Sequence, residues 1–193
     1  MIIIVMGPQG SGKSTQARLL AEKYGMQFVS VGEILRELFE DQNQVGIEAR
    51  QYWIKGELVP DDLIVKIVKE FFNKHAQEKD YVIDGFPRDP GEYVVMKEVF
   101  PSEIDAIVYI NLAHDLIIKR LKKRAQIEKR EDETEEAIRR RLEIAQNVTF
   151  PLLQKFKDDG YRVIEVDGSP APEIIFNEIC FHLEETHTLI KPQ

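Results

Sequence analysis

Eight consecutive residues, Gly7-Pro8-Gln9-Gly10-Ser11-Gly12-Lys13-Ser14, fit the spacing G-x-x-x-x-G-K-[ST] at every fixed position. The chemistry of that spacing is phosphate binding. Glycines let the backbone turn tightly with its N–H groups directed at an anion, and the helix start behind them adds partial positive charge. Lys13 can reach the β- and γ-phosphates of a triphosphate, and the Ser14 hydroxyl can ligate magnesium. A glycine-rich strand-to-helix turn without a ligand would look similar over these eight residues. The flanks decide. Ile2–Met6 is an apolar, β-branched run that reads as a strand buried on both faces, and Ala17, Leu19, Leu20 and Ala21 follow at helical spacing. The stretch is read as a nucleotide phosphate site.

A second constellation is Tyr81-Val82-Ile83-Asp84-Gly85-Phe86-Pro87-Arg88. A strand ending in Asp84 beside the phosphate loop can orient magnesium, directly or through water. Gly85 lets the chain turn sharply, Pro87 stiffens the exit, and Arg88 is held where phosphates collect. Its planar guanidinium can grip a phosphate through two parallel hydrogen bonds. The bland alternative is an Arg88 that only pairs with Asp84 or a surface acid. A third feature is charge asymmetry: ten of the 26 Lys and Arg residues fall between Lys119 and Arg141.

The elements that must carry these residues follow from periodicity. Strand-like runs recur at Ile2–Met6, Gln27–Ser30, Tyr81–Asp84, Ala106–Leu112 and Tyr161–Val166, separated by helical patterns. The alternation predicts an α/β fold, a parallel sheet of about five strands with helices on both faces and ligands at the carboxyl ends of the strands. Helices are expected over Glu33–Phe39, Val45–Lys55 and Asp61–Lys74, then a long one from Glu133 to Lys157 kinked by Pro151, and a last one over Pro172–Glu184. His187–Gln193 reads as a frayed tail.

Composition narrows the function. The 193 residues fit one domain, and a net charge of −8 argues against a nucleic-acid surface. Cys180 is the only cysteine, so neither an intrachain disulfide nor a cysteine-based zinc site can form; it falls on an apolar stripe and is expected in the core. His75, His114, His182 and His187 show no ligand spacing. No apolar run reaches membrane-spanning length and no leader pattern precedes the first strand, so a cytoplasmic protein without a membrane partner is expected. No long apolar stripe is left over, so a monomer is expected.

With these residues in view, the chain resembles the adenylate kinase family of nucleoside monophosphate kinases over about residues 1–185. The resemblance is carried by residues 7–16, by Ser30-Val31-Gly32-Glu33-Ile34-Leu35-Arg36, by Gly56-Glu57-Leu58-Val59-Pro60-Asp61, by Asp84–Arg88 and by the run ending Arg139-Arg140-Arg141-Leu142. It implies a P-loop core (1–29, 60–123 and 133–187), a monophosphate-binding insert near 30–59 and a short lid near 124–132 without structural zinc. It implies ATP and a nucleoside monophosphate as partners, with magnesium entering with ATP. By resemblance, Gly7, Gly10, Ser11, Gly12, Lys13, Ser14 and Thr15 hold the donor phosphates. Arg36 and Arg88 grip the acceptor monophosphate, with Val31, Gly32 and Gly85 beside them, while Leu58 and Val59 line its base pocket. Arg124, Arg130 and Arg141 close over the transferring group. Arg120 belongs with the donor phosphates or its base, and Ser169 and Pro170 with the donor adenine. Asp132 matches an acid that holds the closed lid. Lys122, Lys123, Arg139 and Arg140 are expected to be a solvated helical face.

Two departures bear on the acceptor. Val31 stands where adenylate kinases often have Thr, and Glu92 where they place a Gln that contacts adenine. A carboxylate matches the two donors of guanine better than adenine, and polar matching of this kind can discriminate by ~10⁴-fold. Alternatively Glu92 points to solvent, or Pro90-Gly91 turns the chain away from the base. AMP is the expected acceptor on family weight, with GMP or another monophosphate as the rival. A nucleotide-binding protein without turnover is a rival of another class. Lys13, Arg36, Arg88, Arg124, Arg130 and Arg141 together argue against it, because binding alone does not need lid arginines.

Overall fold

The computed structural model describes residues 1–75, 77, 80–100, 104–128, 132 and 134–185. Five strands, β1 (Ile2–Met6), β2 (Gln27–Ser30), β3 (Tyr81–Asp84), β4 (Ile104–Asn111) and β5 (Val163–Asp167), form one parallel sheet in the order β2-β3-β1-β4-β5. This is the α/β architecture that the alternation of patterns predicts. From β1 the chain moves outward to β2 on one side, and after β3 it crosses to β4 and β5 on the other. Open parallel sheets bind ligands at the carboxyl ends of the strands where the direction of winding reverses.

Side chains alternate across β1. Ile2, Ile4 and Met6 enter the core on one face, and Ile3 and Val5 enter the core on the other. The first face is covered by α2 (Val31–Glu40), α3 (Gln44–Trp53), α4 (Asp61–Lys74), α5 (Pro90–Val99) and α8 (Phe150–Asp158). The second is covered by α1 (Lys13–Tyr24) and α9 (Pro172–Glu185), whose Cys180 is a buried free thiol. A smaller cluster of Leu112, Ile117, Leu121, Ile138 and Leu142 joins α6 (His114–Glu128) to α7 (Glu135–Ile144).

Local chemistry sets the helix starts. Asp61 and Asp62 occupy the first turn of α4, where negative charge suits the helix dipole. Thr134 caps α7 by accepting from the Ala137 N–H, and Glu135 and Glu136 follow it.

Two helices, α5 and α6, escape the periodicity argument. Among the described side chains of α6 only Ile117 and Leu121 are buried, too narrow a stripe to stand out, and α5 buries the polar Glu92 on its inner face. The long helix is also not a simple kinked rod. A π-helical segment, Ala145–Thr149, separates α7 from α8, which opens Phe150-Pro151. Proline cannot donate to the turn before it, and the wider turn absorbs that missing bond. The expected start of this helix at Glu133 and the tail His187–Gln193 lie outside the described residues. Among the described residues no helix is long and apolar enough to cross a membrane.

Candidate functional site

Sheet register builds the floor of the site. Asp84 pairs with Val5 of β1 on one side and with Ser30 of β2 on the other, so three strand ends finish level, just short of Gly7. Gly7 has φ +144°, and a Cβ there would stand 2.6 Å from the Ile110 main-chain oxygen. Only glycine lets the turn leave β1 this close to β4. The loop closes with Ser11 N–H donating to Pro8 O at 3.1 Å, and α1 begins at Lys13.

Above this floor lies a cleft of about 500 Å³. From the phosphate loop it receives Gly7, Lys13, Ser14 and Thr15, and from the end of β3 Asp84, Gly85 and Arg88. From α2 come Gly32 and Arg36, and from the segment after α3 come Leu58 and Val59. Arg124 of α6 and Arg141 of α7 close the far side. Lys13 and Arg88, read from their motifs, and Arg36, Arg124 and Arg141, implied by the family resemblance, therefore converge although they come from five separate segments.

Two distances bring Arg36 and Arg88 together. A Cβ built on Gly32 would lie 3.6 Å from an Arg36 guanidinium nitrogen and 3.7 Å from one of Arg88, so both guanidinium groups face the same small volume. At Gly85, with φ +81°, a Cβ would come within 2.7 Å of Arg88 Nη2, so a side chain here would displace the guanidinium.

The electrostatics are those of a site built for anions. Burial pulls the Lys13 ammonium down to about 8, Asp84 opposes that shift, and the nearby Arg88, Arg124 and Arg141 charges lower it further. Like charges held this close repel, and bound phosphate relieves that repulsion.

Ser14 Oγ donates to Asp84 Oδ2 at 2.6 Å, and the Ser30 hydroxyl lies 3.5 Å from the same oxygen. Asp84 Oδ1 is buried and has no hydrogen-bond partner. A hydroxyl beside a carboxylate with one unsatisfied buried oxygen, at a phosphate loop, fits magnesium in its donor set. Among the described residues no group of three or more His, Cys, Asp or Glu side chains is placed to hold a metal ion.

Arg141 is anchored within the protein. Its guanidinium donates to Asp132 Oδ2 at 2.6 Å, to Asp132 O at 2.9 Å and to Trp53 O at 2.8 Å. It ties the end of α3 to the segment that precedes α7. Arg120 lies outside the cleft, bonding Ser11 O at 3.4 Å and Ser169 O at 3.3 Å. It thereby joins the phosphate loop to the turn that holds Ser169 and Pro170, which lie outside the cleft as well. Gly10, Ser11 and Gly12 form the crest of the loop, with Ser11 fully buried. Lys122, Lys123, Arg139 and Arg140 are exposed and lie outside the cleft. Arg130 and residues 129–131 of the expected lid lie outside the described residues, while α6 remains helical through Glu128.

Two residues expected beside the acceptor, Val31 and Glu92, are not among those lining the cleft. Val31 is 3% exposed and packs into the core on the sheet face covered by α2, so its side chain does not line the cleft. Glu92 neither lines the cleft nor reaches solvent. It is 3% exposed and accepts from the Arg88 main-chain N–H at 2.6 Å. The reason is local. Asp89 is the N-cap of α5 and accepts from the Glu92 N–H at 2.9 Å, Pro90 opens the helix, and Glu92 sits at its third position. A capping acid followed three residues later by Glu is the capping-box pattern, in which the Glu turns back to the N-cap N–H; here it reaches one residue further, to the Arg88 N–H. Asp89-Pro90-Gly91-Glu92 carried that signal in the sequence. Sequence reasoning also missed Ser30, Trp53 and Thr149, which line the cleft.

Comparison with known proteins agrees with this geometry. The family model described as adenylate kinase matches residues 5–161. An adenylate kinase of Bifidobacterium longum is 38% identical over 187 residues, spanning 95% of this chain and 100% of its own. Adenylate kinase 1 of a Nostoc species is 34% identical over 180 residues, 92% of this chain and 95% of its own. An adenylate kinase of Archaeoglobus fulgidus is 30% identical over 215 residues, 96% of this chain and 99% of its own.

Proposed function

This chain belongs to the adenylate kinase family, and from that premise we propose that its cleft transfers the γ-phosphoryl group of ATP to AMP, giving two ADP. The observation that carries the reading is the convergence of Lys13, Arg36, Arg88, Arg124 and Arg141 on one cleft at the ends of β1 and β3. A single anion would be served by fewer cations; two nucleotides meeting at their phosphates account for all five.

The turn from Gly7 to Thr15 and Lys13 hold the donor triphosphate. Arg36 and Arg88 hold the AMP phosphate from the opposite side, and Leu58 and Val59 flank its base. One AMP phosphate oxygen attacks the γ-phosphorus in line as the bond to the departing ADP oxygen breaks, and no group on the protein is covalently modified. The moving phosphoryl group spreads charge over its oxygens, so fixed positive charge and alignment supply the catalysis. Arg124 and Arg141 bear that load, with Arg130 as the third of the set. For Arg141 this means exchanging Asp132 and Trp53 O for phosphate as the cleft closes. Ser14 and Asp84 would hold magnesium brought with ATP, directly or through water, and what it would supply there is neutralisation of the phosphate charge.

Val31 and Glu92 were the two reasons to consider a guanine acceptor. Neither lines the cleft, and burial pushes the Glu92 carboxyl up to about 8, so at neutral pH it is not the carboxylate that guanine would need. AMP is therefore the acceptor we assign. Initial rates with ATP against AMP, GMP, CMP, UMP and dAMP test it. AMP turnover well above the others is expected, and fast GMP turnover beside negligible AMP turnover would reverse the assignment. The insert near 30–59 and the lid near 124–132 are the parts we expect to move on binding.

A further inference from the structure

Arg88 is held by its main chain at both ends. Its N–H donates to the buried carboxyl of Glu92 at 2.6 Å, and its carbonyl accepts from Thr149 Oγ1 at 2.9 Å. The two partners belong to different elements, α5 and the π-helical segment ahead of α8. We propose that Glu92 and Thr149 are positioning residues that together fix the Arg88 backbone, so that its guanidinium faces the volume it shares with Arg36. The proposal rests on the reading of Arg88 as the acceptor-phosphate clasp.

Three physical points carry it. First, a guanidinium at the end of a long side chain is aimed by its backbone. With both peptide groups pinned, φ and ψ of Arg88 cannot swing, and the side chain loses less freedom when phosphate arrives. Second, Glu92 is committed to this contact, since the capping box turns its carboxyl back over the helix start and burial leaves it no water to exchange with. Third, the π-helical segment has the geometry to deliver Thr149. Eight α-helical steps of about 100° would leave Thr149 roughly 80° around the axis from Arg141. Absorbing one residue in the wide turn leaves the equivalent of seven steps, about 20° from it. Arg141 and Thr149 both line the cleft, as that arithmetic requires. A segment of this kind, inserted where a helix passes a site, has a use: it brings a hydroxyl onto the face that already carries an arginine. The helix bearing Arg141 thus also steadies Arg88.

The test uses the full-length enzyme and four single variants: Glu92→Leu, Glu92→Gln, Thr149→Val and Thr149→Ser. Rates are measured with AMP varied at saturating ATP and with ATP varied at saturating AMP, and AMP binding without ATP is measured by calorimetry. Glu92→Leu and Thr149→Val should raise the AMP KM and Kd about tenfold while the ATP KM moves less than twofold. Glu92→Gln and Thr149→Ser keep an acceptor or a donor in place and should bring the AMP constants back toward wild type. Equal losses for both nucleotides would mean a general structural defect and overturn the proposal. So would an AMP Kd in Thr149→Val matching wild type, a comparison that survives if Glu92→Leu fails to fold. A swing from AMP toward GMP on Glu92→Gln would put the carboxyl against the base and also overturn it. If wild type binds AMP but does not turn it over, the functional reading fails separately, and the calorimetric comparison still decides the positioning.

Discussion

The Ser14 hydroxyl and the Asp84 carboxylate, seventy residues apart in the chain, meet at 2.6 Å, while the second Asp84 oxygen is buried with no partner. A buried carboxylate oxygen without a hydrogen bond is costly, roughly 1–3 kcal/mol or more for a charged group. Its retention at the end of a strand that faces the phosphate loop marks it for a ligand. Asp84→Asn keeps the shape and removes the charge. It should lower kcat ~10²-fold or more, the scale for losing one preorganised electrostatic contact, and shift the magnesium titration of activity to higher concentration. An unchanged magnesium titration would detach Asp84 from the metal.

Lys13 and Arg88 sit on opposite sides of the proposed transfer. Lys13→Met and Arg88→Ala should each lower turnover by ~10³-fold or more, in the range of phosphate-clamping groups. Their binding signatures should differ, with the arginine variant losing AMP affinity while ATP affinity is kept. Wild-type kcat in either folded variant would put the chemistry elsewhere.

Arg141 and Asp132 form an ion pair whose side chains are 13% and 19% exposed. Partial burial strengthens such a pair relative to one in open solvent. A double-mutant cycle of Asp132→Ala and Arg141→Ala, read by thermal unfolding, should give a coupling of about 1–3 kcal/mol. Additivity within a few tenths of a kcal/mol would show that the pair does not hold this edge of the cleft. Because the Trp53 carbonyl bond is lost in both backgrounds that remove Arg141, the cycle isolates the carboxylate.

Glu92 makes a prediction about pH. Burial is the main cause that pushes its carboxyl from the ordinary 4.5 up to about 8; Asp89 and Asp61, the latter from α4, add to the rise, and Arg88 opposes it through its charge and its N–H. Between those two pH values the folded chain holds one more proton than the unfolded chain. Stability therefore falls as pH rises through that window, by up to about 1.4 kcal/mol per pH unit. Glu92→Gln does not titrate, so its melting temperature should gain on wild type from pH 5 to pH 8 and run parallel above it. A constant gap across the range would mean that the carboxyl is not buried as described.

Much of the molecule was legible from residue order. Periodicity placed all five strands near their observed bounds, because alternation and apolar runs are written directly into a chain that must bury both faces of a sheet. The phosphate loop, Asp84 and Arg88 were legible too, since fixed spacings encode turns and helix starts that form locally, whereas Arg36, Arg124 and Arg141 came only with the family resemblance. Even the course of Glu92 was written there, as a capping acid three residues ahead of a glutamate, but a base contact competed for the same side chain.

Which partner wins such a competition is a property of packing. Glu92 was decided when α5 closed against the sheet and buried its start, and Val31 when α2 laid its first turn on the core. Arg141 found Trp53 O eighty-eight residues away, and Thr149 found Arg88 through one extra residue of helical winding. A sequence spells out local geometry because neighbours along the chain have few conformations to choose from. The direction of a long polar side chain depends on which distant surface arrives beside it, and only the folded arrangement of the elements supplies that.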